Sequence, residues 1–266
     1  MILFDDHVHS GLSIDGEEMA LAFCRAAVER GLGGLSFTEH LDTDPADPGY
    51  GRYNFELLRR ASEEARRMYG CRLSILVGAE VDFQPLFAPQ IADFIRACPL
   101  DFVLGSVHYV QREFVCPEYF LRHGEEEAYR NYLGAVEAAV ASGLFDSLAH
   151  LDLAKRYGTP VCGPFTPGLY WERIDRILRL LIQRGMALEI NASGWRQAPG
   201  EPYPGEAIVQ RYAELGGRLI TIGSDAHRPA DIGRDLDRAI DLARRAGFTH
   251  LTRFVARQPQ PIPIGC

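Results

Sequence analysis

Apolar positions along the chain follow two alternating rhythms. Short runs rich in Val, Ile, Leu and Phe, bounded by Gly, Pro, Asn or Asp, read as buried strands; between them, apolar residues recur at helical spacing. An opening strand runs into Asp5-Asp6-His7-Val8-His9-Ser10, and further strands are predicted at 34–38, 73–79, 102–107, 145–149, 187–191 and 219–223. Helices are predicted at 16–30, 56–69, 89–97, 125–142, 170–183, 206–215 and 231–246, with Gly31, Gly70 and Gly143 as stop signals. The Asp-, Pro- and Gly-rich stretch 42–53 reads as a loop, as does 157–168, and the residues after 246 read as a tail ending in Pro259, Pro261 and Pro263.

Strand and helix thus alternate at intervals of roughly 30 to 40 residues, a rhythm that selects a parallel sheet with crossover helices. An open doubly wound sheet and a closed barrel both fit it. The polar residues decide between them, because most of the predicted strands end in a His, Asp or Glu. His7 with His9, Thr38-Glu39-His40, Gly78-Ala79-Glu80, Ser106-Val107-His108, Ala149-His150 and Ser224-Asp225-Ala226-His227 all close apolar runs. Ligands from so many strands must converge on one place, which closure does naturally by delivering the strand ends to one rim, so the expected fold is an α/β barrel, TIM-like and seven-stranded, with a metal site at the C-terminal rim and residues 1–266 forming one domain.

Composition narrows the partners. A formal charge of −8 argues against a nucleic-acid surface, and no apolar run is long enough to span a bilayer, so no membrane partner and a cytoplasmic location are expected. Cys24, Cys71, Cys98, Cys116, Cys162 and Cys266 show no C-x-x-C spacing and read as reduced, mostly buried thiols.

Six of the eight histidines lie at these strand ends. A lone histidine in such a place is often a hydrogen-bonded core residue, but paired groups at i and i+2 point to one face of a strand and can hold one ion. The candidate ligands are His7, His9, Asp15, His40, Glu80, His108, His150, Asp225 and His227, too many for a single ion. Imidazole and carboxylate donors without thiolate suit zinc, manganese or iron, and a carboxylate such as Glu80 can bridge two ions. Asp15 has a second reading, as the N-cap of the helix that follows, with Glu18 three residues on. The chemistry such a cluster serves is metal-assisted hydrolysis, including phosphoryl transfer to water. Arg156 and Arg196 follow ligand-bearing strand ends and are candidate phosphate clamps, with Ser193 as a hydroxyl donor; surface arginines are the plainer alternative. His123 and His250 lie outside any strand-end motif. Asp42, Asp44 and Asp47 form an acidic loop that is either a cation contact or simply solvated. No G-x-S-x-G elbow, Walker loop or dinucleotide fingerprint is present.

In order, D-x-H-x-H-S, T-E-H, G-x-E, G-S-V-H, H-L-D and G-S-D-A-H resemble the PHP (polymerase and histidinol phosphatase) superfamily. The compact length and the H-L-D-L-x-K-R-Y stretch around Arg156 resemble its stand-alone histidinol-phosphate phosphatases. The resemblance implies a distorted seven-stranded (β/α) barrel with three divalent ions, hydrolysing L-histidinol phosphate to L-histidinol and phosphate in histidine biosynthesis. It implies one ion held by His7, His9, Glu80 and Asp225, a second by Glu80, His108 and His150, and a third by Asp15, His40 and His227. Asp225, His227 and Glu80 would stand closest to the chemistry. Family members often carry N-T-S-G where this chain has Asn191-Ala192-Ser193-Gly194, and an aliphatic residue where it has Trp195. Two alternatives stay open: a PHP phosphoesterase for a nucleotide or other small phosphate ester, and a non-catalytic PHP module, whose mark would be lost ligands.

Overall fold

The computed structural model describes residues 3–264, so Cys266 lies outside the described residues. Strand β1 (Leu3–Val8) leads through helix α1 (Ala20–Glu29) to β2 (Leu32–Leu41), then α2 (Phe55–Tyr69), β3 (Ser74–Asp82), α3 (Ala88–Ala97) and β4 (Phe102–Ser106). A small hairpin, β5 (Tyr109–Val110) with β6 (Glu113–Phe114), and helices α4 (Pro117–His123) and α5 (Glu125–Ser142) precede the short β7 (Ser147–Leu148). The chain continues through α6 (Lys155–Cys162), α7 (Trp171–Arg184), β8 (Ala187–Asn191), α8 (Glu206–Glu214), β9 (Ile220–Gly223) and α9 (Leu236–Arg245), and ends in the hairpin β10 (His250–Val255) and β11 (Gln258–Pro263).

The seven-stranded sheet runs β1-β2-β3-β4-β7-β8-β9, and its pairings are parallel. The last strand curls back to the first at the C-terminal rim, where Val8 bridges Ala226 in parallel and the His9 N–H donates to the Ala226 carbonyl at 2.9 Å. This nearly closed α/β barrel is the expected architecture. Its helices lay their apolar faces on the outside of the strands, as when Ile174, Ile177, Leu178 and Leu181 of α7 are buried along one side.

One predicted loop and the predicted tail contain ordered elements instead. Residues 155–162 form α6 despite Pro160, because Gly158 is there for packing rather than as a break: a Cβ at 158 would stand 2.2 Å from the Tyr129 hydroxyl and 2.8 Å from the Phe120 ring. The helix also begins on the fully buried Lys155, whose Nζ lies 2.8 Å from carboxylate oxygens of both Asp152 and Glu201. The tail is likewise structured, with Pro259, Pro261 and Pro263 pairing Phe254, Thr252 and His250. Prolines at every second position put all their missing N–H groups at one kind of pairing site, so an edge strand tolerates them.

That hairpin plugs the end of the barrel opposite the ligand-bearing rim. Phe254 stacks on Phe102 at 5.3 Å between ring centroids and joins Leu104, Ala149 and Ala187 in a small internal cluster. Arg253 reaches inward over the Phe4 ring at 4.2 Å, and its Nε donates to the buried Asp6 carboxylate at 3.2 Å. Both side chains are less than a tenth exposed. Removing one member of such a pair leaves a buried charge unmatched, which costs about 3 to 5 kcal/mol. Arg253→Met is therefore expected to lower the unfolding free energy in urea by about 3 kcal/mol; a loss below about 1 kcal/mol would show that the hairpin is not anchored through this pair.

Candidate metal centre

The candidate groups arrive at the rim on successive strands. His7 lies on β1 and His9 just beyond it; His40 and Glu80 lie on β2 and β3; His108, His150, Asp225 and His227 follow the ends of β4, β7 and β9. The register places His40 directly beside Glu80. Gly223 makes the seam possible, since a Cβ there would stand 2.2 Å from the His7 Cβ. His150 and Asp225 adopt left-handed backbone, φ 23° and 54°, a conformation L-residues avoid unless the surroundings hold them in it.

Glu80 is the hub. One carboxylate oxygen lies 3.3 Å from His7 Nε2, 3.3 Å from His9 Nε2 and 3.1 Å from His40 Nδ1; the other lies 2.7 Å from His150 Nε2 and 3.6 Å from His108 Nε2. Asp225 stands on the far side, 3.7 Å from His7 Nε2 and 3.5 Å from His9 Nε2. Asp15 closes the outer edge at 3.4 Å from His40 Nε2 and 3.1 Å from His227 Nε2. It is not an N-cap, because α1 starts only at Ala20 and is preceded by Met19. All nine predicted groups therefore meet in one place.

Burial and neighbouring charges pull against each other throughout this array. Burial opposes charge on His7, yet Glu189, Glu80 and Asp225 outweigh it and hold the ring's pKa well above the ordinary value. Burial, with His40 and His227 alongside, pulls His9 down to about 3. Burial would raise Glu80, but His7 and His40 hold its carboxyl well below the usual range. His9 is thus a neutral imidazole, the form that binds a metal.

The donor set fits divalent ions. Among the described residues, His7 Nε2, His9 Nε2 and His150 Nδ1 are buried ring nitrogens without a hydrogen-bond partner, an arrangement proteins avoid unless something else occupies the lone pair. Three groupings bring ligand atoms within 4.8 Å of one another: His9, His40 and His227; His7, Glu80 and His150; and His7, His9 and Asp225.

Above the cluster opens a cleft of about 920 Å³. Arg156, Arg196 and Ser193 all line it, but they differ in freedom. Arg156 is exposed and lies over the Tyr157 ring at 5.3 Å. Arg196 is held by the Ser224 carbonyl at 2.7 Å and by Asp235 at 3.3 Å. The Ser193 hydroxyl lies 2.6 Å from Asn191 Oδ1 and 3.2 Å from the Asp225 carboxylate. Asp42 and Asp47 also face the cleft, whereas Asp44 does not: it turns away to a two-pronged pair with Arg112, both contacts 2.9 Å. Outside the cleft, His123 pairs with Glu113 at 2.9 Å and His250 is exposed on β10.

The PHP domain model matches residues 5–193, most of the chain. The chain belongs to the PHP family. Among curated relatives, it is 32% identical to the Deinococcus radiodurans protein called "Probable histidinol-phosphatase", covering 97% of this chain and 99% of that one. It is 31% identical to the histidinol-phosphatase of Lactococcus lactis, over 94% and 93% of the two chains. Among solved structures, histidinol phosphate phosphatase from Lactococcus lactis, complexed with zinc, L-histidinol and phosphate, superposes with a TM-score of 0.90 at 29% identity, covering 97% of this chain and 98% of that one. No helix among the described residues is long and apolar enough to cross a membrane.

Around this PHP cluster lies a layer of buried acids that the strand-end reading missed. Asp5 accepts from the Ser224 N–H at 2.8 Å, and Glu39 from the Ser10 and Ser13 hydroxyls at 2.6 and 2.5 Å. Asp82 accepts from the His108 N–H at 2.6 Å, and Glu189 from His7 Nδ1 at the same distance. Their signal was a carboxylate inside an apolar strand, as in Ala187-Leu-Glu-Ile-Asn, where it cannot face water.

Proposed function

We infer that the chain is a histidinol-phosphatase, a metal-dependent phosphoric monoester hydrolase that converts L-histidinol phosphate to L-histidinol and phosphate. The observation that carries this is the complete donor cluster under a cleft with a free arginine, in a chain matching histidinol-phosphatases over nearly its whole length. It acts as one barrel unit over 1–266, with three divalent ions, drawn from zinc, manganese and iron, held by His7, His9, Glu80 and Asp225; by Glu80, His108 and His150; and by Asp15, His40 and His227. Such ions acidify water and neutralise charge on phosphoryl oxygens.

The remaining work falls to side chains of this chain. A phosphomonoester brings about two negative charges near neutral pH, and more charge gathers on its non-bridging oxygens as water attacks. Arg156 presents paired N–H donors to those oxygens, and Ser193 adds a hydroxyl. Arg196 contributes less directly, because the Ser224 carbonyl and Asp235 already hold it. Asp225, with His227 beside it at 3.6 Å, orients the attacking water and returns the proton to the leaving histidinol oxygen. Asp42 and Asp47 line the same cleft and give it negative charge suited to the cationic amine of histidinol. A nucleotide, anionic along its length, lacks that match.

Phosphate release from L-histidinol phosphate, set beside nucleoside monophosphates and simple diesters, tests the assignment: histidinol phosphate should be turned over with by far the highest kcat/KM, and preference for a nucleotide would overturn it. Protein purified without chelator and supplied with metal should hold about three ions per chain by elemental analysis, since nine donors exceed the four to six positions of one ion. A count that stays at one would return Asp15, His40 and His227 to a structural role. Arg156→Ala should lower kcat/KM roughly 10²-fold with metal content unchanged, and Arg156→Lys should recover only part, restoring charge without the fork. Parent-like turnover in Arg156→Ala would move the phosphate clamp elsewhere.

A further inference from the structure

Glu189 is a fully buried carboxylate that the proposed chemistry leaves unused. It sits mid-way along β8, two residues before Asn191 and therefore on the same side of the strand. A carboxylate in such a place is costly unless donors surround it, and here each donor leads to the cluster. One oxygen accepts from His7 Nδ1 at 2.6 Å; the other accepts from the His150 backbone N–H at 2.9 Å and from Asn191 Nδ2 at 3.2 Å. The same Asn191 amide lies 3.3 Å from Asp225. Groups from β1, β8 and the turn after β7 thus meet at one side chain, and Asn191 links it to Asp225 in the turn after β9.

We propose that Glu189 is a positioning residue for the metal centre, fixing the tautomer of His7 and the backbone of His150 at once. The inference rests on the reading of His7 and His150 as ligands. An ionised carboxylate only accepts, so the ring nitrogen facing it must carry the proton. For a neutral imidazole this leaves the lone pair on Nε2, the atom that points at the cluster and has no partner. The second oxygen holds the N–H of a residue whose φ is 23°, which keeps the His150 ring aimed at Glu80 from an unfavourable backbone conformation. Gly223 preserves the room for this pair, since a Cβ there would stand 2.9 Å from the Glu189 oxygen as well as 2.2 Å from His7 Cβ.

Glu189→Gln keeps the shape and removes half of the function. A carboxamide has one acceptor oxygen; if it serves His7, its NH₂ group confronts the His150 N–H, and if it serves His150, the His7 ring is offered a donor and must place its own proton on Nε2, where no metal binds. Zinc affinity measured by competition with a chromogenic chelator should therefore fall about 10- to 100-fold in Glu189→Gln, with kcat recovering as free zinc is raised and the melting temperature of the metal-free protein little changed. Unchanged zinc affinity would overturn the proposal, as would a lower metal-free melting temperature with no loss of affinity, which would mark Glu189 as a structural acid. Should the variant fail to fold, a crystal structure of the zinc-loaded parent decides: His7 bound through Nε2 with Nδ1 kept on Glu189 supports the assignment, and His7 bound through Nδ1 contradicts it. Zinc affinity is read without substrate, so a parent that binds zinc but leaves histidinol phosphate intact would sink the phosphatase assignment and not this one.

Discussion

Everything at the rim depends on the seam where the last barrel strand meets the first. His7 and His9 are more than two hundred residues from Asp225 and His227 in the chain, and only barrel closure brings them together. The seam is made by few bonds: the Val8 to Ala226 bridge, the His9 N–H on the Ala226 carbonyl, and Asp5, which accepts from the Ser224 and Gly233 N–H groups at 2.8 and 2.7 Å. Gly223 lets the two strands approach. At the opposite end of the barrel the C-terminal hairpin braces the same strand, through Arg253 on Asp6.

Within that frame, Glu80 sets the electrostatics. Imidazoles crowd around it, with His9 4.2 Å from His40 and 4.3 Å from His227 between stacked ring centroids. Rings so close cannot all be protonated, because like charges at that separation repel strongly in a site shielded from water. A ring that gives up its proton turns a lone pair into this common space, and with a carboxylate among them the rings form a site suited to divalent cations. The cost of assembling it is carried by the outer acids Asp5, Glu39, Asp82 and Glu189, each buried and each holding a ligand or the backbone beside one.

The barrel and the cluster were largely legible in the sequence, since a titratable group at the end of an apolar run has one economical explanation when it recurs on strand after strand. Strand β8 and helix α5 carry the predicted bounds, and the rim brings together all nine strand-end and loop groups. What stayed hidden depends on contacts far apart in sequence. Helix α6 looked like a loop because Gly158 and Pro160 are local breakers, and only the neighbouring Tyr129 and Phe120 explain the glycine. The terminal hairpin was masked by alternate prolines whose spacing suits an edge strand. The roles of Glu189 and Asp5 were hidden because the donors that make each acid part of the site come from other strands, His7 and His150 for Glu189 and Ser224 for Asp5; Asp44 shows the reverse, an acid in the candidate loop that faces Arg112.

In the proposed function, Glu80 unites the imidazoles into one metal centre that hydrolyses L-histidinol phosphate. Glu80→Gln tests it most directly, because the amide preserves volume while removing the negative charge. Ion content by elemental analysis and turnover of histidinol phosphate should fall together, with at least one ion lost and little activity left even when metal is supplied in excess. A Glu80→Gln protein that keeps the parent's ion content and near-parent kcat would show that Glu80 does not hold the centre together.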